Sequence, residues 1–285
     1  MAQIREIKRR IKSITNTSKV THAMELISAA KMRKAQEQAL ASRPYTITLN
    51  EILMEIRAKT QSKIQHSLLE AKEANSQLLV LFTTDRGFVG GLNINVFREI
   101  SKLSGQSFKY VVVGKKGAHY AGKTGQDLIA SFNSEEMSFL DLARIISKIA
   151  IDSYIKSEVS AVKLIYSDFK STVKQVPTTK QILPIVLEAT EATDEQSTTN
   201  DEPLFEPSAQ KILENVLPHY ILTEFYQAIL ESKASEHSAR MVAMKNATDA
   251  AGDLVDDLTL TYNQARQEAI TKELLDIVTA QSAFQ

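Results

Sequence analysis

The chain has 285 residues, 43% apolar and 24% charged, with 34 basic against 34 acidic side chains. Those fractions suit one large or two medium globular domains, and the balanced charge favours no particular partner. The absence of cysteine excludes a disulfide framework, a thiolate metal site and a cysteine nucleophile, and it fits a reducing compartment.

The N-terminal stretch MAQIREIKRR lacks the apolar core of a secretory signal, and its apolar residues recur at helical spacing, so it reads as mature structure. Ile4, Ile7, Ile11 and Ile14 are spaced 3, 4, 3, an a/d seam. The pattern then loosens into small residues around Val20, Met24, Ile27 and SAAKMRKAQ. Pro44 is expected to kink this helix or mark a joint, after which the pattern resumes with Ile47, Ile52 and Ile56.

Eight of the nine glycines lie between Gly87 and Gly125. This segment and the residues around it alternate strand and helix signals. QLLVLFTT (77–84), FKYVVVG (108–114) and SAVKLIYSDF (160–169) have the length and composition of buried strands, and DLIASF (127–132) is a weaker candidate. VKQVPTTKQILPI (173–185) reads as an edge strand, where proline is tolerated. Helical stretches near 92–104 and 138–157 complete an α/β layer with a largely parallel sheet.

Within that segment, GAHYAGKTG (117–125) matches the Walker A phosphate-binding pattern. A working phosphate loop needs a strand ending at its first glycine and a helix starting at its Lys-Thr pair, so that free N–H groups face phosphate. Here the strand stops at Gly114. Residues 115–121 read as a short helix capped by Gly122, so Lys123 and Thr124 fall where free carbonyls repel phosphate. The other glycine-rich stretch, TTDRGFVGGLN (83–93), is neither a dinucleotide fingerprint nor a Walker pattern. It reads as a tight strand-to-helix turn in which Asp85 and Arg86 hydrogen-bond. The five histidines fall at no metal-ligand spacing. No catalytic residue, cofactor site or metal site is expected.

Residues 188–206 carry seven acids and no base and read as a mobile surface loop. Beyond them no proline follows Pro218. Met241, Met244, Thr248, Ala251, Val255, Leu258, Tyr262 and Ala265 alternate 3 and 4, and the seam is then expected to shift to Ile270, Leu274 and Ile277. Some 75 helical residues from Ala209 would reach roughly 110 Å, too long for one globular core to surround. Residues 1–43 hold ten Lys or Arg against three acids, whereas 249–285 hold seven acids against two bases. Antiparallel pairing would set these charges side by side; such pairs add little stability but help select partner and direction. No apolar run approaches the roughly 18 residues that span a bilayer. The expected fold is α/β: a long antiparallel coiled coil of the terminal helices (1–58 and 208–285) around a central Rossmann-like domain (59–207).

Three segments in order resemble the gamma subunit of F-type ATP synthases: IKRRIKSITNTSKVTHAMELISAAKMRKAQ (7–36), TTDRGFVGGLN (83–93) and ASEHSARMVAMKNATDAAGDLVDDLTLTYNQARQEAITKELLDIV (234–278). The resemblance implies a rotor shaft whose terminal helices turn inside a hexamer of alpha and beta subunits. Its middle domain would meet the epsilon subunit and the membrane ring of c subunits. It implies that nucleotide chemistry belongs to the beta subunits. It also implies that Arg266 and Gln267 meet a beta-subunit loop, and that Met24, with Lys19 and the basic residues nearby, faces the beta levers. The implied place is the cytoplasmic face of a bacterial inner membrane, reached through partners. Ala280 and Gln281 depart from the family's closing Gly-Ala pair; because alanine favours helix by about 1 kcal/mol, a more helical last turn is expected. The chain also lacks the cysteine pair of redox-switched plastid members. Rival readings are a P-loop NTPase with coiled-coil arms and a coiled-coil scaffold. Nucleic-acid binding is not expected, because aromatic residues for base stacking are missing from the basic helix.

Overall fold

The structure is a computed structural model and describes residues 2–59, 66–103, 107–186 and 208–283. Two long helices, α1 (Ala2–Lys59) and α5 (Ala209–Ala283), flank β1 (Ser76–Phe82), α2 (Leu92–Lys102), β2 (Ser107–Val113), α3 (Lys115–Lys123), β3 (Asp127–Phe132), α4 (Phe139–Ile155), β4 (Val162–Phe169) and β5 (Gln175–Leu183). The acidic stretch 188–206 lies outside the described residues. The chain divides into two compact units: residues 1–30 with 240–285, and residues 31–239. This differs from the three-part division read from the sequence, because the inner halves of both long helices pack with the sheet.

The larger unit is built on a five-stranded sheet in the order β3-β2-β1-β4-β5. Its first four strands are parallel, and β5 returns antiparallel beside β4. The alternation of β1 explains the layering. Leu78, Val80 and Phe82 face a core with α4, α5 and the end of α1, while Leu79 and Leu81 face α2 and α3. Buried on both faces, the central strands need continuous apolar runs, and these made them legible. The edge strand β3 is mostly exposed, which explains its weaker signal.

In the same unit the long helices pair antiparallel. The Ser42 hydroxyl donates to the Gln227 side-chain carbonyl, and Arg43 lies 3.5 Å from Glu231. The shielded face of α1 here is Met32, Ala35, Ala39, Ser42, Thr46, Leu49, Leu53 and Ile56, at a strict 3-4 spacing. Ile47 and Ile52, expected on that face, are exposed. Pro44 does not end the helix. Pro44 and Leu40, whose carbonyl loses its bond, both face solvent, and water can satisfy that carbonyl.

Candidate functional site

In the smaller unit, residues 2–30 of α1 run against 240–269 of α5. Thr21 Oγ1 and Thr248 Oγ1 share a 2.8 Å hydrogen bond. Stepping by 3 and 4 from that contact sets Ile4, Ile7, Ile11 and Ile14 opposite Ala265, Tyr262, Leu258 and Val255, all shielded. Ser18 and Ala251 stand between that contact and Ile14, and in the other direction come Glu25 and Ser28 against Met244 and Met241. The expected face of α5 up to Ala265 is therefore the observed one. On α1 the observed face runs through polar and small residues instead of Val20 and Ile27, which are 59% and 56% exposed. The seam does not shift to Ile270, Leu274 and Ile277 either. It continues to a half-shielded Ala269, and residues 270–279 are exposed all round. Among the described residues, nothing stands opposite that tip. The helix runs on through Ala280 and Gln281 to Ala283.

The expected charge pairing is also absent. Asp249, Asp253, Asp256 and Asp257 are exposed on α5, and Lys8, Arg9, Lys12 and Lys19 are exposed on α1. Among the described residues, no ion pair links these two sets. Both rows face solvent. Lys19 is exposed and Met24 half-buried, one turn from the exposed Val20 and Ile27. Arg266 and Gln267 are exposed on α5, beyond the point opposite Met24 by roughly 30 Å at about 1.5 Å per residue. The four residues thus form two stations on one rod, not one site.

The Walker match in the larger unit is built as a helix end. β2 stops at Val113 and Gly114, at φ 100°, turns the chain into α3. The buried Gly117 N–H donates to Thr83 Oγ1 at 2.9 Å, and any Cβ there would meet Val112 and Thr83 at 2.6–2.9 Å. Gly122 is not the cap: the helix continues to Lys123, Thr124 caps it, and Gly125 takes the left-handed turn at φ 64°. Gln126 N–H closes on the Ala121 carbonyl at 3.0 Å, and Thr124 Oγ1 donates to the Tyr120 carbonyl at 2.9 Å. Lys123 and Thr124 thus occupy the carbonyl end, where phosphate is repelled.

The second glycine-rich turn closes through Thr84, whose hydroxyl donates to the Arg86 carbonyl at 2.7 Å and accepts from Asn93 at 2.8 Å, while the side chains of Asp85 and Arg86 bond outside it. Asp85 is buried and accepts from Lys115 N–H at 3.1 Å, from Ser134 N–H at 3.2 Å and from the Ser134 hydroxyl. It therefore ties together the loops after β1, β2 and β3. Arg86 reaches out to Glu135 at 2.9 Å. Phe88 and Gly90 take φ 62° and 56°, and Phe88 stands 69% exposed. Among the described residues there is no group of three or more acidic or histidine side chains placed to hold a metal ion, and no helix long and apolar enough to cross a membrane.

A family model described as ATP synthase matches residues 3–284. Over 293 residues the chain is 40% identical to the ATP synthase gamma chain of Opitutus terrae, covering 99% of each chain. Against that of Methylacidiphilum infernorum it is 43% identical, with both covered in full. The chain belongs to the ATP synthase gamma-chain family. The fold agrees with two solved structures. One is a chain of the Euglena gracilis mitochondrial ATP synthase, at TM-score 0.68 and 18% identity over 99% of this chain and 95% of that one. The other comes from the central stalk and c ring of the Tetrahymena thermophila enzyme, at 0.60 and 23%, over 80% and 99%.

Sequence reasoning missed Asp85 as a three-loop tie and the polar part of the α1 seam. A 3-4 count extended from Ile14 through Ser18, Thr21, Glu25 and Ser28 finds it without regard to hydrophobicity.

Proposed function

We propose that this chain is the central rotor shaft of an F-type ATP synthase. It carries rotation from a membrane ring of c subunits to three catalytic beta subunits, and it has no catalytic residue of its own. The observation that carries this reading is the antiparallel 3-4 seam joining the two ends of a chain that matches the gamma family throughout. Two helices locked together resist twisting better than one. The free cationic row on α1 and the exposed apolar residues between Val20 and Ile27 give that rod an asymmetric surface.

On this reading the hexamer of alpha and beta subunits surrounds the paired ends, residues 1–30 and 240–285, while the unit of residues 31–239 meets epsilon and the c ring. Lys19 and Met24 face the beta levers, and Arg266 and Gln267 meet a beta loop nearer the tip. The chain attaches to the cytoplasmic face of a bacterial inner membrane through its partners. Against the P-loop alternative stands the carbonyl-end position of Lys123. The test is reconstitution with three alpha and three beta subunits, with a bead fixed to a cysteine introduced at exposed Lys148 of α4 in this cysteine-free chain. ATP should drive unidirectional rotation of the bead. Hydrolysis at full rate with a stationary bead refutes the shaft. Tight ATP binding by the isolated chain that is lost in Lys123→Ala refutes the non-catalytic assignment.

A further inference from the structure

Doubly wound sheets take ligands in the crevice outside the carboxyl ends of their strands, at the point where strand order reverses. Here that point lies between β1 and β4, and the crevice is filled by the chain itself. Thr83, Thr84 and Ser167 at the strand ends face Ser232, Lys233 and Glu236 of α5 across a residual cavity of about 20 Å³, room for one water. Small residues let the helix come this close. Ala234, Ser235 and Ser238 are fully buried. Ser235 donates its hydroxyl to the Ser167 carbonyl at 2.9 Å and Ser238 to the Thr172 carbonyl at 2.6 Å, both on the β4 side. Lys233 and Glu236 close a 2.7 Å ion pair, each side chain at most 10% exposed. More than two turns earlier on α5, Lys180 of β5 holds Glu224 at 2.6 Å.

We propose that this filled crevice is the socket through which rotation passes from the α/β domain into α5. Residues 184–208 form the covalent link from β5 to α5, and residues 60–75 that from α1 to β1. The described residues of the sheet and α5 meet side-on, and that contact carries the twist between them. The apolar part of that contact, with Leu217, Ile221, Phe225 and Ile229 of α5 in the core, is close-packed but has no preferred bond direction. Hydrogen bonds to the carbonyls of Ser167 in β4 and Thr172 in the turn after it, and a buried ion pair, are directional and oppose rolling. The segment Ser232–Ser238 supplies the directional contacts, and the fold's ordinary ligand position supplies the recess.

The test uses the complete ATP synthase in sealed vesicles. Lys233→Met removes the ion pair. Assembly yield and unloaded ATP hydrolysis are expected to stay within two-fold, while ions pumped per ATP fall at least three-fold. Adding Thr172→Cys with Ser238→Cys, and oxidising, should restore pumping, because the disulfide replaces the lost grip. The same cysteine pair in the otherwise unchanged chain should leave synthesis within two-fold, since no motion occurs between α5 and the sheet. The proposal is overturned if Lys233→Met lowers hydrolysis and pumping in equal proportion or leaves both intact. It is also overturned if the disulfide fails to restore pumping, or if it blocks turnover in the unchanged chain.

Discussion

The two helix-embedded glycines of the Walker-like stretch should respond oppositely to alanine. At Gly117 a Cβ would lie 2.6 Å from Val112 Cγ1 and 2.7 Å from Thr83 Oγ1, distances that require neighbours to move. Overpacking of this kind costs about 1–3 kcal/mol. Pushing Thr83 aside also weakens the 2.9 Å bond from Gly117 N–H, adding about 0.5–1.5 kcal/mol. Gly117→Ala should thus destabilise by roughly 2–4 kcal/mol. At Gly122 nothing lies within 4 Å, and the residue is helical and exposed, so Gly122→Ala should stabilise by about 0.5–1 kcal/mol. At about 2–4 °C per kcal/mol, melting of the isolated chain should fall by at least 4 °C in the first variant and rise by 1–4 °C in the second. A phosphate loop would instead show both substitutions abolishing nucleotide binding. That outcome, or destabilisation by Gly122→Ala, would refute the packing argument.

Further outcomes are expected elsewhere. Asp85→Ala strands three donors from two loops and should cost about 2–4 kcal/mol, read from urea midpoints; Asp85→Asn should recover part of it. Arg266→Ala, at an exposed helix position, should change stability by less than about 0.5 kcal/mol yet lower ATP synthesis by the assembled enzyme; unchanged synthesis removes Arg266 from the proposed contact. Burial, reinforced by nearby Glu231, Asp168 and Glu224, holds the Tyr166 phenol well above its usual 10.0; burial and Glu224 do the same for Tyr220. A raised phenol binds its proton more tightly in the folded chain. Its contribution is therefore complete below pH 10 and lost as pH rises beyond it. Urea midpoints should decline above pH 10, and less steeply in Tyr166→Phe.

The sheet was legible because its central strands are buried on both faces and had to be written in Val, Leu, Ile and Tyr. The end of α3 was misplaced by two residues because Gly122 and Gly125 compete for the cap. Only the backbone shows that Gly125 takes the left-handed turn. The pairing of the long helices was legible where isoleucine marks it and illegible from Ser18 to Ser28, where the seam is polar and the larger apolar residues face outwards. A count of apolar residues misreads such a surface, because exposed Val20, Leu26 and Ile27 look like core. Asp85 was invisible for a different reason: its three donors come from Lys115 and Ser134, distant in sequence, and only the parallel strand order brings them together.

The last stretch of α5 has a thermal consequence. From Ile270 to Thr279 it is a single helix exposed on every side, held by its own backbone bonds and side-chain preferences. Lone helices of that length are marginal in water. In the free subunit this end should melt first, with amide protons exchanging within the dead time of a standard experiment. Leu274, Leu275, Ile277 and Val278, each near 60% exposed, carry the apolar area that enclosure by partners would remove from water. The tip would then gain its order on enclosure, and the entropy lost in setting it would reduce the free energy of assembly.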